Sequence, residues 1–137
     1  MKIIFLICFL ITSLTFVGQT KIDISKVPAI PYKPKVAINN FIQYKTLSLD
    51  SILKYGIEVV LDDKSYKVIQ FAIIFDCHSK FLLDFSYKTY SGSTVSPIDP
   101  DFRKKNKVGD LIEIADTVIE NGGQRYLMSW ATYQIIR

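Results

Sequence analysis

Cysteine and histidine are nearly missing from this chain, which has two of the first and one of the second. Cys8 sits in an apolar leader, and once that leader is removed only Cys77 remains, so an intrachain disulfide is excluded and stability must come from packing. One histidine, His78, without a cysteine pair leaves a closed tetrahedral zinc site short of ligands. The glycines build no phosphate-cradling loop, and the chain contains neither a Gly-x-Ser-x-Gly elbow nor a metalloprotease helix. Heptads, internal repeats and low-complexity tracts are absent too. The acidic clusters, Asp62-Asp63 and Asp99 with Asp101, lack the distal bidentate glutamate of a calcium loop and read as turns and caps. The formal charge of +4, one unit of it from Lys2 in the leader, makes no case for nucleic acid, which calls for basic residues clustered on one face. No catalytic residue, metal or cofactor is expected.

What the chain does have is apolar residues, 49% of the total against 22% charged, enough for the core of one domain. Part of that share is the opening "MKIIFLICFLITSLTFVGQT", where one lysine precedes an uncharged apolar stretch from Ile3 to Val17. This is the layout of a secretory signal peptide, and the stretch is short of the about 20 residues a membrane-spanning helix needs. Residues 1–18 are therefore expected to be a signal peptide, and the protein to be exported to the periplasm or cell envelope.

The next segment carries prolines 28, 31 and 34 and lysines 21, 26, 33 and 35. Proline removes backbone donors and favours extended conformations, so residues 19–45 read as an extended arm or tether ahead of a domain at 46–137. In that domain "LSLDSILKYG" predicts one short helical element, capped by Ser48 or Asp50 and closed by Gly56. Thereafter the period is two. Ile69, Phe71, Ile73, Phe75 and Cys77 share one face of a strand, with Tyr66, Val68, Gln70, Ala72 and Ile74 on the other, and "FLLDFSYKTY", "DLIEIADTVIE" and "RYLMSWATYQII" are further strand-like runs. "SGSTVSPIDPDFRKKNKVGD" is a connection, with room for one helical turn at "DPDFRKKN". The stretch "VIENGGQRYLM" reads as the closing hairpin, because Asn121-Gly122 tolerate positive φ in a two-residue loop and Gly123 eases a bulge. The fold class is all-β, mainly antiparallel and sandwich-like, with at most one short helix.

Chemistry-bearing groups are few. Asp76 and His78 would share a strand face, the one pair worth testing for an enzyme acting on envelope polymers, whereas Cys77 points the other way and reads as a buried, inert thiol. The candidates for binding are the basic run Arg103, Lys104, Lys105 and Lys107, able to meet an acidic partner, and the aromatics Tyr87 and Tyr90, read as exposed.

The order of parts resembles one known family. Val68 and Phe71 in "SYKVIQF", Lys107-Val108-Gly109-Asp110 ahead of an Ile-rich strand, and Asn121 to Leu127 in "NGGQRYL" follow the pattern of the carboxy-terminal domain of the gliding-motility protein GldM, over roughly residues 48 to 137. Tyr66 stands where a phenylalanine is usual, and the hairpin lacks the family's proline and aspartate before the glycine. The resemblance implies a β-rich periplasmic domain linked to type IX secretion and gliding in Bacteroidetes that docks on outer-membrane-associated partners. The resulting expectation is an exported, non-enzymatic module that binds an envelope protein by strand addition or a loop face; a structural accessory domain is the alternative.

Overall fold

The computed structural model describes residues 22–75 and 86–137. The expected signal peptide with Cys8, the Asp76, Cys77 and His78 triplet, and residues 81–85 of "FLLDFSYKTY" lie outside the described residues.

Two sheets enclose one core. The chain runs through a 3-10 turn (Ile24–Lys26), β1 (Ala29–Ile30), β2 (Lys35–Ile38), β3 (Phe41–Gln43), β4 (Thr46–Ser48), α1 (Leu49–Tyr55), β5 (Ile57–Val60) and β6 (Lys67–Phe75). After the undescribed segment it continues through β7 (Ser86–Ser91), β8 (Thr94–Val95), α2 (Pro100–Lys105), β9 (Leu111–Asn121), β10 (Gln124–Met128) and β11 (Ala131–Ile136). The spine of the larger, seven-stranded sheet is β9. One of its sides pairs with β6, and β7 lies beyond β6. Its other side is shared, by β11 along Leu111 to Ile114 and by β10 along Val118 to Asn121. Two short strands complete this sheet in parallel pairings, β1 on β10 and β4 on β11. The smaller sheet has the order β3-β2-β5-β8 and is antiparallel throughout. The architecture is the expected all-β, sandwich-like one.

Alternation explains which side chains meet in the middle. Ala131, Tyr133 and Ile135 of β11 are buried while Thr132, Gln134 and Ile136 are exposed, as period-two packing on one face requires. From the smaller sheet come Val36 and Ile38 of β2, Ile57 and Val59 of β5, and Val95 of β8. A buried hydrogen bond from the Val36 N–H to the Tyr133 hydroxyl, 3.1 Å, ties the two layers together. α1 begins where the Ser48 hydroxyl accepts from the Ser51 N–H and ends at Gly56 (φ 72°). That glycine is obligatory on two counts, because a Cβ there would run into the Val95 carbonyl and the conformation is one that side chains resist.

Three features depart from the sequence-based expectation. First, the stretch read as an arm is inside the fold: β2 pairs with both β3 and β5, and Val36, Ala37 and Ile38 are buried. Asn39 and Asn40, at φ 49° and 68°, make the two-residue turn between β2 and β3, and asparagine is one of the residues that tolerates this left-handed region. Second, β6 does not keep one parity. Register shifts between Val68/Gln70 and Gln70/Ala72, together with Asp116 at φ 47°, insert an extra residue first in β6 and then in β9. Val68 therefore shares the core with Phe71, Ile73 and Phe75, and half-buried Ile69 turns to the outer face. Third, the closing hairpin turns at Gly122-Gly123 (φ 58° and 81°), since Asn121 still pairs with Gln124; two consecutive glycines meet the positive-φ requirement with the least strain.

Candidate functional site

The basic run expected to meet a partner is built into a corner of the sandwich. Asp99 caps α2 by accepting from the Phe102 N–H at 2.8 Å, Pro100 occupies the first turn, and Phe102 is fully buried, so the helix is anchored by its own core residue. Arg103 then points back to donate from Nη1 to the carbonyls of Leu53 (3.1 Å) and Pro97 (3.0 Å). Lys105 reaches Asp101 at 3.6 Å and lies over the Phe75 ring. Lys88 of β7 points into the same corner and bridges Asp99 and Asp101, both at 2.9 Å. Of the four basic residues, Arg103, Lys104 and Lys107 are exposed; among the described residues Lys104 and Lys107 make no ion pair, while Arg103 is held by two backbone carbonyls and Lys105 by Asp101.

The two tyrosines separate. Tyr90 is 8% exposed, stacks on Phe71 at 5.6 Å between ring centroids and directs its hydroxyl to Asp99, so it is a core residue, which corrects the reading of it as exposed. Burial, and then the nearby Asp99 charge, hold its phenol far above the usual tyrosine range. Tyr87 is 47% exposed and donates a 2.7 Å hydrogen bond to Asp116. Three residues apart on one strand, the two rings must occupy opposite faces. Burial opposes ionisation of Asp99, yet the Phe102 N–H and Lys88 outweigh it and lower its carboxyl below the ordinary value. Lys88 holds Asp101 low as well, and the two carboxylates raise Lys88. Asp63 accepts from the N–H and hydroxyl of Ser65 at 2.9 and 2.7 Å, the turn-forming role read for it. Among the described residues no group of three or more His, Cys, Asp or Glu could hold a metal ion.

Sheet edges are the other places where a sandwich can be met by a partner. In the larger sheet, β1 is two residues long between Pro28 and Pro31, β4 runs straight into α1, and β7 carries the inward lysine Lys88. In the smaller sheet, β8 has two residues. Only β3, among the described edges, presents apolar side chains with neither proline nor charge: Phe41 is 71% exposed, Ile42 40%, and Tyr44, directly after the strand, 76%. Sequence reasoning missed this edge by treating the region as a tether; the Asn-Asn pair between "KVAI" and "FIQY" was the signal for it.

A cleft of about 760 Å³ opens at the end of the sandwich where β1, the exit of β5 and the β9–β10 hairpin come together. Its depth is apolar, from Ile30, Leu61, Ile119 and Met128, with the rings of Tyr66 and Tyr126 in edge-to-face contact at 6.0 Å. Tyr32 and Lys33 stand at the mouth with Asp63 and the Lys35–Asp62 pair, the latter 2.7 Å apart. No protein-family model matches this chain, and no curated protein is detectably similar to it.

Proposed function

We propose that this protein is an exported, non-enzymatic module of the cell envelope that binds an extended segment of a partner protein by strand addition at β3. The unguarded apolar edge of β3 carries the reading. In a two-residue hairpin the closing pair, Ile38 with Phe41, is hydrogen-bonded and the next pair is not, so the Ile42 N–H and C=O face away from β2 and can continue the ladder. Phe41 and Tyr44 would flank the incoming strand and supply side-chain specificity. A second copy of the chain fits less well. Two aromatic rings of roughly 150 to 250 Å² each and one isoleucine stay well short of the about 800 Å² per partner of a stable interface, so the partner has to bring pockets of its own.

Kinship with the GldM carboxy-terminal domain is part of this proposal. Three observations support it: Val68 and Phe71 are core residues, Lys107 to Asp110 form the turn leading into β9, and Asn121 to Leu127 make the final hairpin. The test is capture from envelope extract by the tagged protein and by two variants, Ile42→Pro and Phe41→Asp combined with Tyr44→Asp. Both variants should lose at least about nine-tenths of any protein that the wild type retains, while Lys104→Ala with Lys107→Ala keeps it. Equal recovery by the edge variants would remove the basis for strand addition.

A further inference from the structure

We propose that a groove on the outer face of the larger sheet, between the 3-10 turn and β7, binds a neutral oligosaccharide, with the Tyr87 ring as its stacking surface. The inference is independent of the β3 reading, which concerns the other sheet and a protein partner.

Strand alternation builds the groove. Tyr87, Thr89 and Ser91 of β7 stand opposite Ile74, Ala72 and Gln70 of β6, and directly paired residues share a face. Tyr90, between Thr89 and Ser91, belongs to the core, so this stripe looks outward, and all three of its members are exposed. Across from it the segment from Ile22 to Val27 closes a groove of about 1140 Å³, with Ile69, Gln70 and Arg125 along its length. That is roomier than the roughly 300 to 1,000 Å³ of most small-molecule sites and suits an oligomer.

Charge, backbone and side chains each narrow the occupant. The two charged residues lining the groove are one of each sign and both are paired, Asp23 with Lys26 at 3.5 Å and Arg125 with Glu120 at 2.9 Å. Asp116, bonded to Tyr87, and Lys67, opposite Glu120, are again one of each sign. The lining therefore favours neither an anionic nor a cationic ligand. A peptide would find no ladder to join: β6 is paired on both sides, with β7 and β9, and in the facing wall the N–H groups of Ser25, Lys26 and Val27 are used within the turn. An acyl chain would strip water from the Gln70 amide and the Thr89 hydroxyl without replacing its hydrogen bonds. A sugar meets all three conditions. Its hydroxyls both donate and accept, as do the side chains of Gln70 and Thr89, and its C–H faces can lie on the Tyr87 ring and against Ile24 and Ile69. The 2.7 Å bond to Asp116 fixes the Tyr87 ring in advance, which lowers the ordering cost of binding.

The test is titration of the ¹⁵N-labelled protein with maltohexaose, cellohexaose and N-acetylchitohexaose, neutral hexasaccharides that differ in linkage or substituent, and with hexagalacturonate as the anionic comparison. At least one neutral ligand should give saturable shifts with a dissociation constant of about 1 mM or tighter. The shifts should centre on residues 22–27, 69–70, 87–91 and 125, with those of β3 unmoved. Tyr87→Ala should weaken that ligand about tenfold, and Tyr87→Phe, which keeps the ring, by less than about threefold. Retained amide dispersion shows that each variant is folded, and the wild-type shift map stands without them. Absence of saturable shifts with all three neutral ligands, shifts centred elsewhere, equal loss in the two Tyr87 variants, or tighter binding of hexagalacturonate overturns the proposal.

Discussion

Along β7, Lys88 points inward and is held by Asp99 and Asp101, with α2 laid over the corner; along β3, Phe41 and Tyr44 stand in solvent with no charge between them. The corner is rich in the residue types that suggest a binding surface, yet most of them are engaged with one another. The β3 edge looks unremarkable in sequence and is the more available surface. Charge density along a chain is thus a poor measure of charge offered to a partner, because surface ion pairs and helix caps neutralise it locally. An inward charge on an edge strand also discourages pairing with another chain, so Lys88 guards β7 in a way that nothing guards β3.

If α2 is an anchored pillar and not a docking surface, Phe102→Ala should be the most damaging change, costing about 3 to 5 kcal/mol in urea-induced unfolding, as expected for emptying a fully buried aromatic site. A loss under about 1 kcal/mol would mean that the helix rests loosely on the core, and the contrast with β3 would fail. Asp99→Ala comes next, at about 1 to 2 kcal/mol, because it removes the cap of α2 and one of the two carboxylates on Lys88.

The same corner should respond to pH. Asp99 and Asp101 are lowered in the fold, so their contribution is present above the unfolded carboxylate value of about 3.9 and is lost as pH falls through their folded values. Lys88 is raised, so its contribution is present below about 10.4 and is lost as pH rises through its folded value. Stability measured by thermal unfolding should accordingly plateau between these limits, and Lys88→Met should flatten both shoulders; unchanged shoulders in that variant would deny the cluster its role. The smallest effects belong to the exposed residues. Lys104→Ala, Lys107→Ala and Phe41→Ala should each stay within about 0.5 kcal/mol of wild type, and a larger loss for Phe41→Ala would show that its ring packs inward and is not available to a partner.

Much of this was legible in the residues. The alternation of β11, the strands of β9 and β10, the helical turn at "DPDFRKKN" and the hairpin after "VIEN" all follow from period-two burial, an aspartate cap with proline behind it, and glycines at positive φ. The opposite facing of Tyr87 and Tyr90 was legible as well, since three residues along a strand always change face. The β2–β3 hairpin was obscured by the prolines around it, which here mark an edge strand and its flanks where an arm had been read.

By itself, then, the sequence determined which runs after the arm become strands, where they turn, and that residues 22–137 hold a single cysteine and so no disulfide among themselves, because these depend on local backbone preference and residue inventory. Only the tertiary structure decided which of those strands lie at an edge, that Arg103 and Lys105 are committed internally, that the bulges bring Val68 into the core, and that tyrosines 32, 66 and 126 converge on one cleft. Each of these depends on pairing between segments far apart in the chain, and the energy of such pairing is set by the surface that both partners bury together, which neither segment carries alone.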